Sequence, residues 1–215
     1  MKDQWYADNR DLVKWSVLHH LALKEGAGTI LQIAYYRPTE WSGVVIDGQL
    51  KPLPEPIIAH FRDVRSAASI SGRYNIRVLF DELCDHAEYL NLVFANIQEL
   101  PAEPPCIVFL DPDTGLEPQG RTTLKHVREA DLRAIWNALH PGHTLVFYQH
   151  QTNMAGRPWI EEKQRQFERA CGLAEGAAKL ACGPEIAGDV VFFFAKKAMG
   201  PTGSRDFGGR PSERI

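Results

Sequence analysis

Cys106-Ile-Val-Phe-Leu-Asp-Pro-Asp-Thr-Gly-Leu-Glu117 joins an unbroken apolar run to a turn that carries three carboxylates. A run of this kind predicts a strand covered on both faces, the habit of a parallel sheet with helices on either side. His143-Thr-Leu-Val-Phe-Tyr148 reads in the same way. Between them, Glu129 to Leu139 carries Leu132, Ile135, Trp136 and Leu139 at helical spacing. Strand, helix and strand in that order describe a right-handed parallel crossover. These two strands are therefore expected side by side at the sheet centre.

Working outward, a helix is expected from Asp11, with Leu12, Val13, Val17, Leu18, Leu21 and Ala22 on one face. Asp11 is a candidate cap and Gly26 a candidate stop. Thr29 to Tyr36 reads as a strand. Arg37 to Pro56, with four prolines, reads as loop with a short strand at Val44 to Ile46. A helix over Pro56 to Ser69 and a strand over Ile76 to Phe80 follow. Leu83 to Leu100 reads as helix, with a strand at Tyr89 to Phe94 as the alternative. Trp159 to Cys171 is a helix, and Ala177 to Ala181 and Val190 to Lys196 are strands. The last two lie too close in sequence for a helical crossover, so they should be antiparallel. The expectation is a three-layer, Rossmann-like α/β domain over residues 1–198, with a mostly parallel sheet and a C-terminal antiparallel strand pair. Residues 199–215, rich in Gly, Pro, Ser and Arg, are expected to be a disordered tail.

The chain has 215 residues, with 24 basic and 27 acidic side chains. That balance excludes a global basic field, so contact with DNA or RNA must come from local clusters. Two are present. One is Arg62, Arg65, Arg73 and Arg77; the other is Lys196, Lys197, Arg205, Arg210 and Arg214. The four cysteines form no C-x-x-C pair, which argues against a zinc site or a disulfide framework. Charges throughout the first twenty residues and the lack of long apolar runs argue against a signal peptide and a membrane span. A cytoplasmic setting is expected.

In open parallel sheets, ligands gather outside the carboxyl ends of the strands. Asp111, Asp113 and Glu117 follow one such end. They suit magnesium or manganese ligation, polar recognition of a substrate, or simply a turn. His150, after the next strand, is a usable acid, base or ligand. The end of the first strand, Tyr35-Tyr-Arg-Pro38, stands where a nucleotide-binding fold places a glycine-rich turn; Gly26-Ala-Gly28 lies on the wrong side of that strand.

Three boxes carry a resemblance: Tyr6-Ala-Asp-Asn-Arg-Asp-Leu-Val-Lys-Trp15, Ile107 to Glu117, and Val146-Phe-Tyr-Gln-His150. Together they resemble a phage and bacterial family of uncharacterised proteins with a polar N-terminal box, a D-P-D-x-G-L-E box and a Y-Q-H box. More distantly, the layout resembles the large-subunit ribosomal RNA adenine-N6 methyltransferases. That resemblance implies S-adenosylmethionine as cofactor, with Lys14 in its site. It also makes Asp111-Pro112 the start of the catalytic motif, whose Asp and neighbouring carbonyl accept hydrogen bonds from the target amine. Asp113 and Thr114 replace that motif's second proline and aromatic, and the glycine-rich cofactor turn is absent.

The leading expectation is a methyltransferase-like protein acting on nucleic acid through a degenerate cofactor loop. Asp111, Asp113 and His150 are its candidate catalytic residues; Asp11, Lys14, Tyr35 and Tyr36 are its candidate cofactor contacts. A metal-dependent nuclease or phosphohydrolase built on Asp111, Asp113 and Glu117, and a non-catalytic binding module of the same fold, are the alternatives. The first reading requires the Lys14 ammonium to point toward the strand ends, within reach of Asp111.

Overall fold

The computed structural model describes residues 7–38, 44–54, 64–70, 73–118, 123–152 and 158–199. Helix α1, Asn9–Glu25, begins where the extended Asp8 accepts hydrogen bonds from the backbone N–H groups of Arg10 and Asp11. It ends at Gly26, whose left-handed conformation (φ 63°) lets its N–H reach the Ala22 carbonyl. The cap is thus Asp8 rather than Asp11, because Asp11 is turned inward and buried.

The main sheet contains β1 (Thr29–Ile33), β4 (Asn75–Leu79), β5 (Cys106–Leu110), β8 (Thr144–His150), β9 (Lys179–Gly183) and β10 (Ala187–Lys196). Their spatial order is β4-β1-β5-β8-β10-β9. The first four are parallel, and β10 runs antiparallel to both β8 and β9. As expected, β5 and β8 are central neighbours, with Leu110 opposite Phe147. Helices α2 (His86–Gln98), α3 (Glu129–Ala138) and α4 (Trp159–Cys171) complete the order. Along β5, Cys106, Val108 and Leu110 pack in the core shared with α2, α3 and α4. Ile107 and Phe109 face the opposite core, against α1. Burying each such side chain contributes roughly 1.5–3 kcal/mol.

Several boundaries differ from expectation for local reasons. Strand β1 stops at Ile33 because Tyr35 turns the chain at φ 47°. β8 continues through His150, so Gln149 and His150 are strand residues. Asp85 caps α2 at two N–H groups, and Tyr89, Val93 and Ile97 then share its buried helical face, leaving no strand at Tyr89 to Phe94. The Val44–Ile46 strand (β2) gains a partner in β3, Gln49–Lys51, across a turn in which Asp47 and Gly48 both have positive φ. Of the helix expected over Pro56 to Ser69, residues 56–63 lie outside the described residues and Val64–Ser69 is a 3₁₀ turn. The expected tail falls outside them beyond residue 199.

From β1 the chain runs to β4 on one side, then crosses back to β5 on the other. That reversal makes a switch point at the carboxyl ends of β1 and β5, where open α/β sheets bind ligands. The turn leaving β5 is pinned there. Gln149 accepts the Leu116 N–H (2.9 Å) and donates to the Thr114 carbonyl (3.1 Å). The buried Lys163 ammonium donates to the carbonyls of Leu116 and Glu117 and to Gln166 Oε1. A short parallel contact, β6 (Gly115–Leu116) with β7 (His126–Val127), completes the turn.

Gly115 sits at φ 115°, and a Cβ there would lie 2.4 Å from the Gln149 side chain. Gly115→Ala is expected to lower the unfolding free energy by roughly 1–3 kcal/mol, from overpacking added to backbone strain. Gly172, at φ 66° with nothing within 4 Å of a Cβ, is the control. Its alanine variant carries only the backbone penalty, of about 1 kcal/mol. Urea unfolding of the two variants should separate them.

Candidate functional site

Lys14 lies one turn into α1 on its inner face, 3% exposed. Its Nζ is 2.9 Å from Asp111 Oδ2 and also bonds Asp11 Oδ1. Gln32, fully buried on β1, donates its amide to the same Asp111 oxygen at 2.7 Å. Asp111 takes its place because alternation along β5 puts it on the α1 side, next to Tyr148 of β8. The Lys14 ammonium also stands 5.7 Å from the Tyr148 ring centroid.

Burial opposes the Lys14 charge, but Asp111 and Asp11 outweigh it and the Lys14 pKa is raised. Burial pushes the Asp11 carboxyl up; Lys14 pulls it down, and the neighbouring Asp111 charge adds to the rise. The Tyr148 phenol is raised by burial first and by Asp111 second. Both donors to Asp111 meet Oδ2, so among the described residues Oδ1 keeps its accepting capacity.

A second cluster lies on the same edge. Arg10 donates to Asp189 Oδ2 from Nε (3.1 Å) and Nη2 (2.5 Å), and His150 Nε2 meets that oxygen at 3.1 Å. Arg10 holds the Asp189 carboxyl below its usual range. Asp189 is absent from the sequence reading. Its signal was the closing strand: an antiparallel strand after β8 must begin at the edge where β8 ends.

Arg37 and Asp113 form an ion pair that ties the segment after β1 to the turn after β5. Burial lowers the Arg37 pKa. Tyr35 turns its ring into the α2–α3 side of the core against Tyr89 (centroids 5.3 Å apart), and its N–H donates to the Tyr89 hydroxyl at 2.9 Å. Its contribution to the edge is backbone, not ring. Tyr36 is half-buried, and its carbonyl accepts the Leu83 N–H.

The three carboxylates expected to share a metal have separate partners. Asp111 faces Lys14 and Gln32, Asp113 faces Arg37, and Glu117 accepts the Glu129 N–H at the start of α3 (3.0 Å). Among the described residues, no group of three His, Cys, Asp or Glu side chains is placed to hold a metal ion. The cation beside Asp111 is the Lys14 ammonium.

The basic clusters are partly spent on the protein itself. Arg77 pairs with Glu99 (2.6 Å), Lys196 with Glu25 (2.8 Å), and Lys197 caps three carbonyls at the end of α3. Arg73 is exposed, and the Arg65 guanidinium lies 5.4 Å from the ring centroid of the exposed Phe80. Arg62, Arg205, Arg210 and Arg214 lie outside the described residues. Among the described residues, no helix is long and apolar enough to cross a membrane.

No family model and no curated protein matches the chain. Among solved structures it is similar to a protein of Thermobifida fusca YX described as a "putative methyltransferase", at 15% identity and a TM-score of 0.41, over 89% of this chain and 80% of that one. It is also similar to a DUF574 family protein from Streptomyces avermitilis MA-4680, at 13% identity and a TM-score of 0.42, over 88% and 82% of the two chains.

Lys14→Met strips two buried carboxylates of their shared cation and is expected to cost roughly 3–5 kcal/mol. The Lys14 pKa is raised on folding, so its contribution is complete below the ordinary lysine value of 10.5 and fades as pH climbs through the raised one. The stability difference between wild type and Lys14→Met should therefore be flat from pH 7 to 10 and narrow above that, as read by denaturant unfolding across the series.

Proposed function

We propose that this chain is an S-adenosylmethionine-dependent methyltransferase-like protein that acts on an amine of a nucleic-acid base. The observation that carries the reading is the meeting of Lys14 with Asp111 at the switch point of the sheet. Those two residues lie 97 positions apart, and they are the pair that the adenine-N6 methyltransferase resemblance singles out.

The residues present fit such a cofactor in backbone more than in side chain. Tyr35 holds the turn after β1 at φ 47°, a conformation usually left to glycine, and its ring is packed away from the α1 face. Asp11, Lys14 and the backbone of Tyr35 and Tyr36 would hold the cofactor, which supplies an activated methyl group when bound. Asp111 Oδ1 accepts a hydrogen from the target amine, with the Pro112 carbonyl as the neighbouring acceptor. This orients the nitrogen lone pair and offers a base for the proton it sheds. Lys14 and Gln32 hold Asp111 in place through its Oδ2. His150 meets two acceptors, Asp189 Oδ2 (3.1 Å) and the Gln151 carbonyl (3.2 Å), and so anchors this edge beside Asp111.

Phe80 and Arg65 support a nucleic-acid substrate. Phe80 is 44% exposed just after β4, with a guanidinium beside its ring. An exposed aromatic next to a cation is a surface on which an unpaired base stacks.

Titration calorimetry with S-adenosylmethionine should show binding to one site. Asp111→Asn should keep that binding while slowing methyl transfer to RNA or DNA by roughly 100-fold or more; Asp113→Asn should leave the chemical step nearly unchanged. A melting temperature raised by manganese and insensitive to S-adenosylmethionine, with the rise abolished by Asp113→Asn, would replace this reading with the hydrolase. Phe80→Ala should weaken binding to single-stranded oligonucleotides by about 5- to 100-fold. Arg65→Ala should reduce the salt dependence of that binding by about one unit of slope.

A further inference from the structure

The main sheet ends on two unlike edges. At one, β4 carries Arg77 in its middle, held by Glu99 (2.6 Å), and the Val64–Ser69 turn packs against the strand with Ala67 fully buried. A charged side chain and a covering segment are the usual protections of a sheet edge. At the other, β9 pairs with β10 on its inner side and, among the described residues, has no strand on its outer side. The outward N–H and C=O groups of such a strand are a template for a further one.

The residues of β9 do little to discourage that pairing. Lys179-Leu-Ala-Cys-Gly183 holds a single charge, at its first position, and no proline. Ala181 and Gly183 turn toward α1: Ala181 packs against the core on that side, and a Cβ on Gly183 would meet Val13 at 2.9 Å. Leu180 and Cys182 therefore turn to the α4 side, where Leu180 is 39% exposed and Cys182 is exposed as well. Ile186, just past the end of the strand, is 49% exposed.

We propose that β9 pairs with β9 of a second copy of this chain, antiparallel about a two-fold axis through Ala181, so that the two sheets run on as one. The occupant follows from self-complementarity, which a two-fold interface requires. Full overlap of the five-residue strand with its own reverse sets Ala181 opposite Ala181, Leu180 opposite Cys182 and Lys179 opposite Gly183. Apolar side chains meet apolar ones, and each lysine stands across from the residue without a side chain, not from another lysine. The helix beside the strand repeats the pattern. α4 is tied to the residue before β9, with Gln164 donating to the Ala178 carbonyl (2.8 Å) and Glu168 accepting the Ala178 N–H (3.0 Å). Its exposed face is acidic at the start, at Glu161 and Glu162, and basic further on, at Arg165 and Arg169. The same two-fold reverses α4, so the acidic end of one copy lies on the side of the basic end of the other. An unrelated strand would call for neither reversal. The switch point lies several strands away, so this interface stands apart from the methyltransferase reading.

Sedimentation velocity of the full chain, from low-micromolar to submillimolar concentration, should show a monomer–dimer equilibrium. Leu180→Lys sets a charge against the partner's edge and should weaken association at least about tenfold, with the melting temperature of the dilute protein unchanged. A second measurement reads the register directly and does not depend on how Leu180→Lys folds. With Cys84, the other exposed cysteine, replaced by serine, a bismaleimide spanning about 8 Å should join Cys182 to its twin, which lies on the diagonal of the ladder at roughly 7–8 Å. A chain that stays monomeric throughout would overturn the proposal. So would a dimer that Leu180→Lys leaves intact, or one in which Cys182 does not crosslink.

Discussion

A lysine ammonium buried between two carboxylates organises this molecule. Isolated, the Lys14 charge would be too costly to bury; with Asp11 on its own helix and Asp111 on the central strand, burial is tolerated and its pKa is raised. The requirement is geometric as well as electrostatic. For Nζ to reach Asp111, α1 must lie across the sheet with its N-terminal turns over the carboxyl ends of β1 and β5. Val13, Leu18, Leu21 and Ala22 pack the rest of that helix onto Ile30, Ile107 and Phe109. Apolar burial supplies adhesion, and the ion pair fixes the helix in angle and register.

The same constraint explains why three separated boxes of sequence belong together. Lys14 joins the N-terminal box to Asp111, Arg10 joins it through Asp189 to His150, and Gln149 joins the strand of His150 to the turn at Thr114 to Leu116. The acidic turn thereby divides into two jobs. Asp111 and Asp113 face basic partners from other elements. Gly115, Leu116 and Glu117 hold the turn's shape against Gln149, Lys163 and the start of α3.

Legibility in the sequence followed the physics of each signal. The apolar runs Cys106 to Leu110 and His143 to Tyr148 showed their strands, and with them the parallel centre, because burial on both faces leaves no alternation to misread. Asp111 stood out by its place at a strand end, but its pairing with Lys14 was legible only through resemblance, since nothing in their spacing announces a contact across 97 residues. Tyr35 and Tyr36 were read as a cofactor turn from their position alone. That Tyr35 would adopt positive φ and bury its ring against Tyr89 is a tertiary outcome that propensity opposes. Asp189 escaped notice because in sequence it is only a polar residue beside an element boundary. Asp8 and Asp11 were confused for the same reason: both suit a cap, and only the pull of Lys14 decides which one turns inward.

Charge at the strand ends also bears on what can bind where. Among the described residues, Asp8, Asp11, Asp111, Asp113 and Asp189 there face Arg10, Lys14 and Arg37, so these carboxylates outnumber these cations even with the ion pairs formed. Such an edge repels phosphate and attracts a cation. In the proposed function the sulfonium cofactor is cationic and its product after methyl transfer is not that ion, so such a field would favour the loaded form over the spent one. A nucleic-acid backbone would instead be turned away from α1. It would have to approach from the β4 side, where Arg73 is exposed and Arg65 lies against Phe80. The two ligands of the proposed reaction would then be separated by the sign of the charge they carry, with only the target base required to cross from one region to the other.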